Sequence, residues 1–154
     1  MALSELIERG GLYRNIGGTT IEAVLTSFIK ALPPSPHVMG EDLLRAVLER
    51  EALMPTGIGN GIALPHPRNP FAMDNNGQFV TLAYLENPIN WTALDGNMVD
   101  TLLLIVSSSA NLHLRILSEI TFFSRQENFI RLIKERSSLD ELLDFIRHTE
   151  KTWD

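Results

Sequence analysis

Histidine is the chain's most obvious reactive group: four are present and cysteine is absent, which excludes thiol nucleophiles, disulfides and Cys-ligated zinc. His66 closes the stretch Thr56-Gly57-Ile58-Gly59-Asn60-Gly61-Ile62-Ala63-Leu64-Pro65-His66 and is followed by Pro67-Arg68. Prolines on both sides restrict the backbone and stop a helix from continuing through the position. Two readings follow: a histidine at a rigid surface turn, or an imidazole held out at a strand end to react. A neutral imidazole nitrogen is a competent phosphoryl acceptor, and an ordinary pKa of about 6.5 leaves most of it unprotonated at neutral pH. The alternate glycines Gly57, Gly59 and Gly61 favour irregular backbone over a regular element. Their amides can approach an anion, as they do in some loops and not in others. No P-loop ending or dinucleotide spacing accompanies them, so nucleotide binding has no support.

His113 shares a helical face with Ile116, Leu117 and Ile120, which points it toward the core. It is either a satisfied, half-buried histidine or, from the first turn of its helix, a neighbour for an anion drawn by the backbone amides and helix dipole. Arg50 and Arg68 each carry a guanidinium able to pair with a phosphoryl group, and each has an ordinary surface role as its alternative. His37 and His148 have no local constellation and are assigned to the surface. A metal hydrolase using His66 and His113 is a further alternative, but zinc needs three or four ligands and no HExxH spacing occurs.

These groups need elements to position them. Leu12–Ile16 reads as a short strand closed by Gly17-Gly18, and Thr19 with Glu22 has capping-box spacing before a helix that stops at Pro33-Pro34-Ser35-Pro36. A second helix starts around Glu41-Asp42 and carries Arg50 in its last turns. Ile62-Ala63-Leu64 is a short strand ending at Pro65-His66, and Asp74-Asn75-Asn76-Gly77 a polar loop. Phe79–Leu85 is a strand rich in β-branched and aromatic residues, with another strand expected after it. Val99–Val106, after the Asp95-Gly96-Asn97 turn, is apolar enough to be a central strand buried on two sides. Three helices complete the chain, bearing Leu112 to Phe123, Phe129 to Ile133, and Leu142 to Ile146 after a Ser138/Glu141 capping box. The pattern implies an α/β fold, a single domain with a central mixed β-sheet covered by helices on both faces.

The chain has 154 residues with 44% hydrophobic content, enough for one substantial core. A net charge of -6 argues against nucleic-acid binding. The start of the chain carries an early acid and no long apolar run, unlike a signal peptide, and no segment has the roughly 18 apolar residues of a membrane span. A soluble intracellular protein is the expectation.

Glu49-Arg50-Glu51, the loop ending Gly-Asn-Gly-Ile-Ala-Leu-Pro-His, and Asn111-Leu112-His113-Leu114 together resemble the fructose/mannitol and nitrogen-regulatory IIA family of bacterial phosphotransfer systems. The resemblance takes in residues 1–154 as one EIIA type-2 domain, with 1–18 packing on or extending it. It implies a cytoplasmic phosphoryl carrier with no metal or organic cofactor, fed by HPr or its nitrogen-branch counterpart. Matched residue by residue, His66 is the phosphoryl acceptor, His113 orients the site and hydrogen-bonds the phosphate, and Arg50, preferred over Arg68, stabilises it. Onward partners would be a IIB domain or regulated target proteins. Pro67 stands where relatives often carry glycine and removes an N–H beside the acceptor. That departure favours a regulatory, nitrogen-type IIA over a sugar-specific IIA that passes phosphate to a IIB cysteine. A non-catalytic module signalling by protein contact is the reading from another class.

Overall fold

A computed structural model describes residues 1–71 and 77–153, so Asp74, Asn75 and Asn76 of the expected polar loop lie outside the described residues. The elements run α1 (Leu3–Gly10), β1 (Leu12–Ile16), α2 (Ile21–Ala31), α3 (Gly40–Leu53), β2 (Gly57–Gly59), β3 (Ile62–Ala63), β4 (Phe79–Ile89), β5 (Val99–Val106), α4 (Ala110–Phe123), α5 (Glu127–Lys134) and α6 (Leu139–Glu150). Five strands form one sheet in the order β1-β4-β5-β3-β2. β1 pairs parallel with β4 and β3 parallel with β5, whereas β4–β5 and β2–β3 are antiparallel.

The period-two alternation of strand side chains divides the core between the sheet's two faces. Leu82, Tyr84, Leu103 and Ile105 belong to one apolar cluster, shared with α1, α4, α5 and α6. Ala83, Leu85, Leu102 and Leu104 belong to the other, shared with α2 and α3. The central strands β4 and β5 are therefore apolar on both sides, and the sheet is mixed, open and helix-covered as the sequence pattern implied.

Three local expectations are corrected. The glycine stretch is not irregular. Gly57–Gly59 and Ile62–Ala63 pair as a hairpin whose two turn residues, Asn60 (φ 56°) and Gly61 (φ 79°), both lie in the left-handed region. Asn-Gly is the preferred pair for the type I′ turn, whose twist matches that of the flanking strands. The residues after Leu85 form no separate strand, because β4 itself continues to Ile89 across a register irregularity between Tyr84 and Ile89. The cap of α2 is Thr20 rather than Thr19, its hydroxyl accepting from the Ala23 N–H at 3.1 Å. In addition, Leu3–Gly10, given no element from the sequence, is a helix; Leu3, Leu6 and Ile7 recur at helical spacing and bury one face against the core. At its end Gly10 touches the sheet so closely that a Cβ would stand 2.0 Å from the Val80 carbonyl oxygen.

Candidate functional site

His66 stands three residues beyond the end of β3, on a connection whose path is fixed by backbone bonds on both sides. The Leu64 N–H donates to the Thr56 carbonyl, and the Ile105 N–H of β5 donates to the Pro65 carbonyl, both at 3.0 Å. The imidazole is buried, 7% exposed, with Nδ1 at 2.6 Å from the Leu64 carbonyl oxygen. A carbonyl only accepts, so Nδ1 carries the hydrogen and Nε2 keeps its lone pair. Burial pushes the pKa down to about 4; the Leu64 bond opposes this, while His113 and Arg50 lower it further. The ring is thus neutral across the physiological range, with one nucleophilic nitrogen.

α4 begins just beyond β5, the parallel neighbour of β3, so His113 in its first turn arrives at the same end of the sheet. The His66 and His113 rings lie 4.6 Å apart between centroids, inclined at 48°. Ser109 caps the helix, its hydroxyl accepting from the Leu112 N–H at 3.1 Å, and the His113 N–H is committed to the Ser109 carbonyl. Those two amides are therefore not available to an anion. Burial, and then the Arg50 charge, lowers the His113 pKa.

Arg50 comes from the last turn of α3, where its Nη1 donates to the Met54 carbonyl at 2.6 Å. Its charge acts on both histidines, so the structure brings together the three residues singled out from the sequence. Arg68 is not among the charges acting on them; it is exposed and lines a separate surface cavity with Glu49, Leu53 and Phe71. His148 is exposed on α6, and His37 is half-buried in the connection between α2 and α3. No group of three or more His, Asp or Glu residues placed to hold a metal occurs among the described residues.

Against this geometry, the family model "Phosphoenolpyruvate-dependent sugar phosphotransferase system, EIIA 2" matches residues 5–149. The chain belongs to this family. A nitrogen regulatory protein of Escherichia coli (strain K12) is 33% identical over 136 residues, spanning 87% of this chain and 80% of the relative. The nitrogen regulatory protein IIA-Ntr of Neisseria meningitidis shares the fold with a TM-score of 0.79 at 20% identity, covering 93% of this chain and 97% of that one. The Escherichia coli complex of enzyme IIA mannitol with phosphorylated enzyme IIB mannitol matches with a TM-score of 0.66 at 18% identity, over 90% and 95% of the two chains. EIIA membership sets the general chemistry, since these components are phosphotransferases. Among the described residues no helix is long and apolar enough to cross a membrane.

One polar centre of this EIIA domain escaped the sequence reading. Glu51, next to Arg50, looked like an acid available for a surface ion pair, yet it is 7% exposed and turned inward. Its carboxylate accepts from the Thr56 N–H (2.6 Å), the Thr56 hydroxyl (2.7 Å) and the Trp91 indole N–H (3.1 Å). These bonds tie the end of α3, and hence Arg50, to the start of the hairpin that leads to His66. A signal was present, since an acid one residue beyond the candidate arginine and five before Thr56 can reach the next loop. Its partner Trp91, 40 residues away, was not foreseeable from local spacing.

Proposed function

We propose that His66 accepts a phosphoryl group on Nε2 from the phosphohistidine of HPr or of its nitrogen-branch counterpart, and that the protein acts as a regulatory, nitrogen-type IIA. The observation that carries this reading is a neutral His66 with Nδ1–H held by Leu64, beside His113 and under the charge of Arg50. In the transfer the donor's P–N bond breaks and leaves its electron pair on the donor imidazole, while Nε2 forms the new N–P bond. The positive charge gained by the His66 ring is shared with Nδ1–H, which stays on the Leu64 carbonyl. Arg50 and His113 then face the developing phosphoryl charge, so positioning and electrostatics supply the catalysis. Leu53, Met54 and Leu114, all more than 60% exposed, flank Arg50 and His113 in the sequence and offer the apolar rim that a docking protein donor would cover.

Nitrogen-type function is supported by the 33% identity with the Escherichia coli nitrogen regulatory protein and by Pro67, which deprives the acceptor's neighbour of an N–H. Transfer to a IIB cysteine is the second reading, favoured by the fold shared with the mannitol IIA seen with phosphorylated IIB. Incubation with each phosphorylated donor should place one acid-labile phosphoryl group on the wild-type protein and none on His66→Ala. Absence of label from both donors sinks the carrier reading. Rapid discharge onto a purified IIB domain would replace the regulatory reading with the sugar-transfer one.

A further inference from the structure

α4 holds His113 in its first turn and ends at Ser124, which is buried and lies about 17 Å further along the helix at 1.5 Å per residue. A helix leaves its last carbonyls without donors of its own. Those of Ile120, Thr121, Phe122 and Phe123 are satisfied locally, by the Ser124 N–H and hydroxyl, the Arg125 N–H and the Gln126 N–H. The Ser124 carbonyl instead accepts from the Asn60 side-chain amide at 2.9 Å, across 64 positions of sequence.

Asn60 is a fixed post for that bond. It opens the turn between β2 and β3, and its N–H donates to Asp95 Oδ2 at 2.9 Å. The neighbouring Gly61 carbonyl accepts from the Asp100 and Thr101 N–H groups, both at 3.0 Å. The turn is thus held to β5 and to the loop before it. A carbonyl only accepts, so the atom that meets Ser124 must be the amide nitrogen, and a carboxylate of the same shape cannot replace it.

These links close a circuit around the phosphoryl site. From Asn60 the chain runs through β3 to His66, from Ser124 α4 runs back to His113, and the two rings meet at 4.6 Å between centroids. Ile116 and Ile120, buried in the core, lie between the ends of α4 and act as its fulcrum. A helix free to swing at Ser124 therefore moves His113 the opposite way. A misplacement of about 1 Å can cost a reaction on the order of 100-fold, so even a small part of that swing reaches the rate.

We infer that Asn60 is a positioning residue of the phosphoryl site: by bonding the end of α4 to the hairpin that leads to His66, it sets how His113 faces His66. The effect on rate rests on the carrier reading; the effect on the two rings does not.

Two variants cut the bond and keep the turn. Asn60→Gly retains a residue at ease in the left-handed region, and Asn60→Asp retains the shape and turn preference but sets a carboxylate against the Ser124 carbonyl. Each should lower the maximal phosphorylation rate about threefold with the donor KM unchanged. In the unphosphorylated proteins the His113 imidazole resonances should move. Thr20→Ala, which removes a helix-end bond of α2 away from the histidines, should move neither the rate nor the rings. His113 resonances that stay in place in both Asn60 variants overturn the inference, as does a full rate in both. Equal changes in Thr20→Ala also overturn it, because general loosening then accounts for them. In a wild-type protein that takes no label from either donor the carrier reading fails, while moved rings still support the clamp and unmoved rings still overturn it.

Discussion

The site has two halves built on different principles. His66 is carried by strand β3, pinned by backbone bonds from both neighbouring segments and by its own ring bond to Leu64, close to the sheet. Arg50 and His113 are carried by helix termini, each placed by few terminal bonds, Arg50 by Met54 and the His113 helix by the Ser109 cap. Glu51 is where the halves meet, since its carboxylate joins α3 to Thr56 and Trp91. The difference teaches a division of labour: the nucleophile is immobilised, and the groups that meet the incoming charge sit on ends that can adjust. Disturbing the strand-borne half should therefore cost stability, and disturbing the helix-borne half should cost rate.

Breaking the junction gives the largest effect. Glu51→Ala leaves three buried donors unpaired, a loss of about 3–5 kcal/mol in denaturant unfolding. Glu51→Gln, which keeps an acceptor oxygen, should recover roughly half of it. Equal stability of Glu51→Ala and wild type would remove Glu51 from the centre of the comparison.

The second effect comes from the buried imidazole. His66 has a folded pKa of about 4 against about 6.5 when unfolded, so between these values the unfolded chain binds more protons than the folded one. Stability is therefore unaffected by this residue above about pH 7 and falls as pH drops from about 6.5 to 4, by up to about 3 kcal/mol. In His66→Ala that part of the acid loss should vanish, measured as a flatter dependence of unfolding free energy on pH. If the mutant loses stability as steeply as the wild type, His66 is not the desolvated group proposed for the strand-borne half. The phosphorylation rate should stay level from about pH 8 to about 5, because Nε2 remains unprotonated.

For the helix-borne half, Arg50→Ala should slow phosphorylation by about 10- to 100-fold while changing stability by less than about 1 kcal/mol. Arg68→Ala, whose charge acts on neither histidine, should change the rate by no more than about threefold. The reverse ranking would overturn the assignment of the phosphate-stabilising arginine.

How much of this was legible follows the same division. The long strands, most helices and the His66 segment could be read because their signals are local: runs of β-branched residues, apolar periodicity, prolines around one histidine. The hairpin carries two competing local signals, the permissive glycines and the Asn60-Gly61 turn pair, and the turn pair decides the backbone. Helix α1 has only eight residues, too few to stand alone, and it exists because Leu3, Leu6 and Ile7, at helical spacing over barely two turns, dock on the core. The convergence of Arg50 with the two histidines was legible only through the family resemblance. Glu51 was missed although its reach to Thr56 is a local signal, because that spacing does not distinguish an acid turned inward from one on the surface, and Trp91 because its bond to Glu51 spans 40 residues.

The Ser109 cap offers the finest test of the comparison. Ser109→Ala removes the acceptor of the Leu112 N–H and loosens the first turn of α4, at a cost of about 1 kcal/mol. That stability loss alone leaves the protein folded. Because His113 stands in that turn, the loosened population should hold its imidazole away from His66, lowering the maximal phosphorylation rate about two- to threefold with the donor KM unchanged. Thr20→Ala removes an equivalent cap on α2, away from the histidines, and should cost similar stability with no change in rate. If the two cap mutants slow phosphorylation equally, the effect is general destabilisation, and the helix-borne half has no special role in setting the rate.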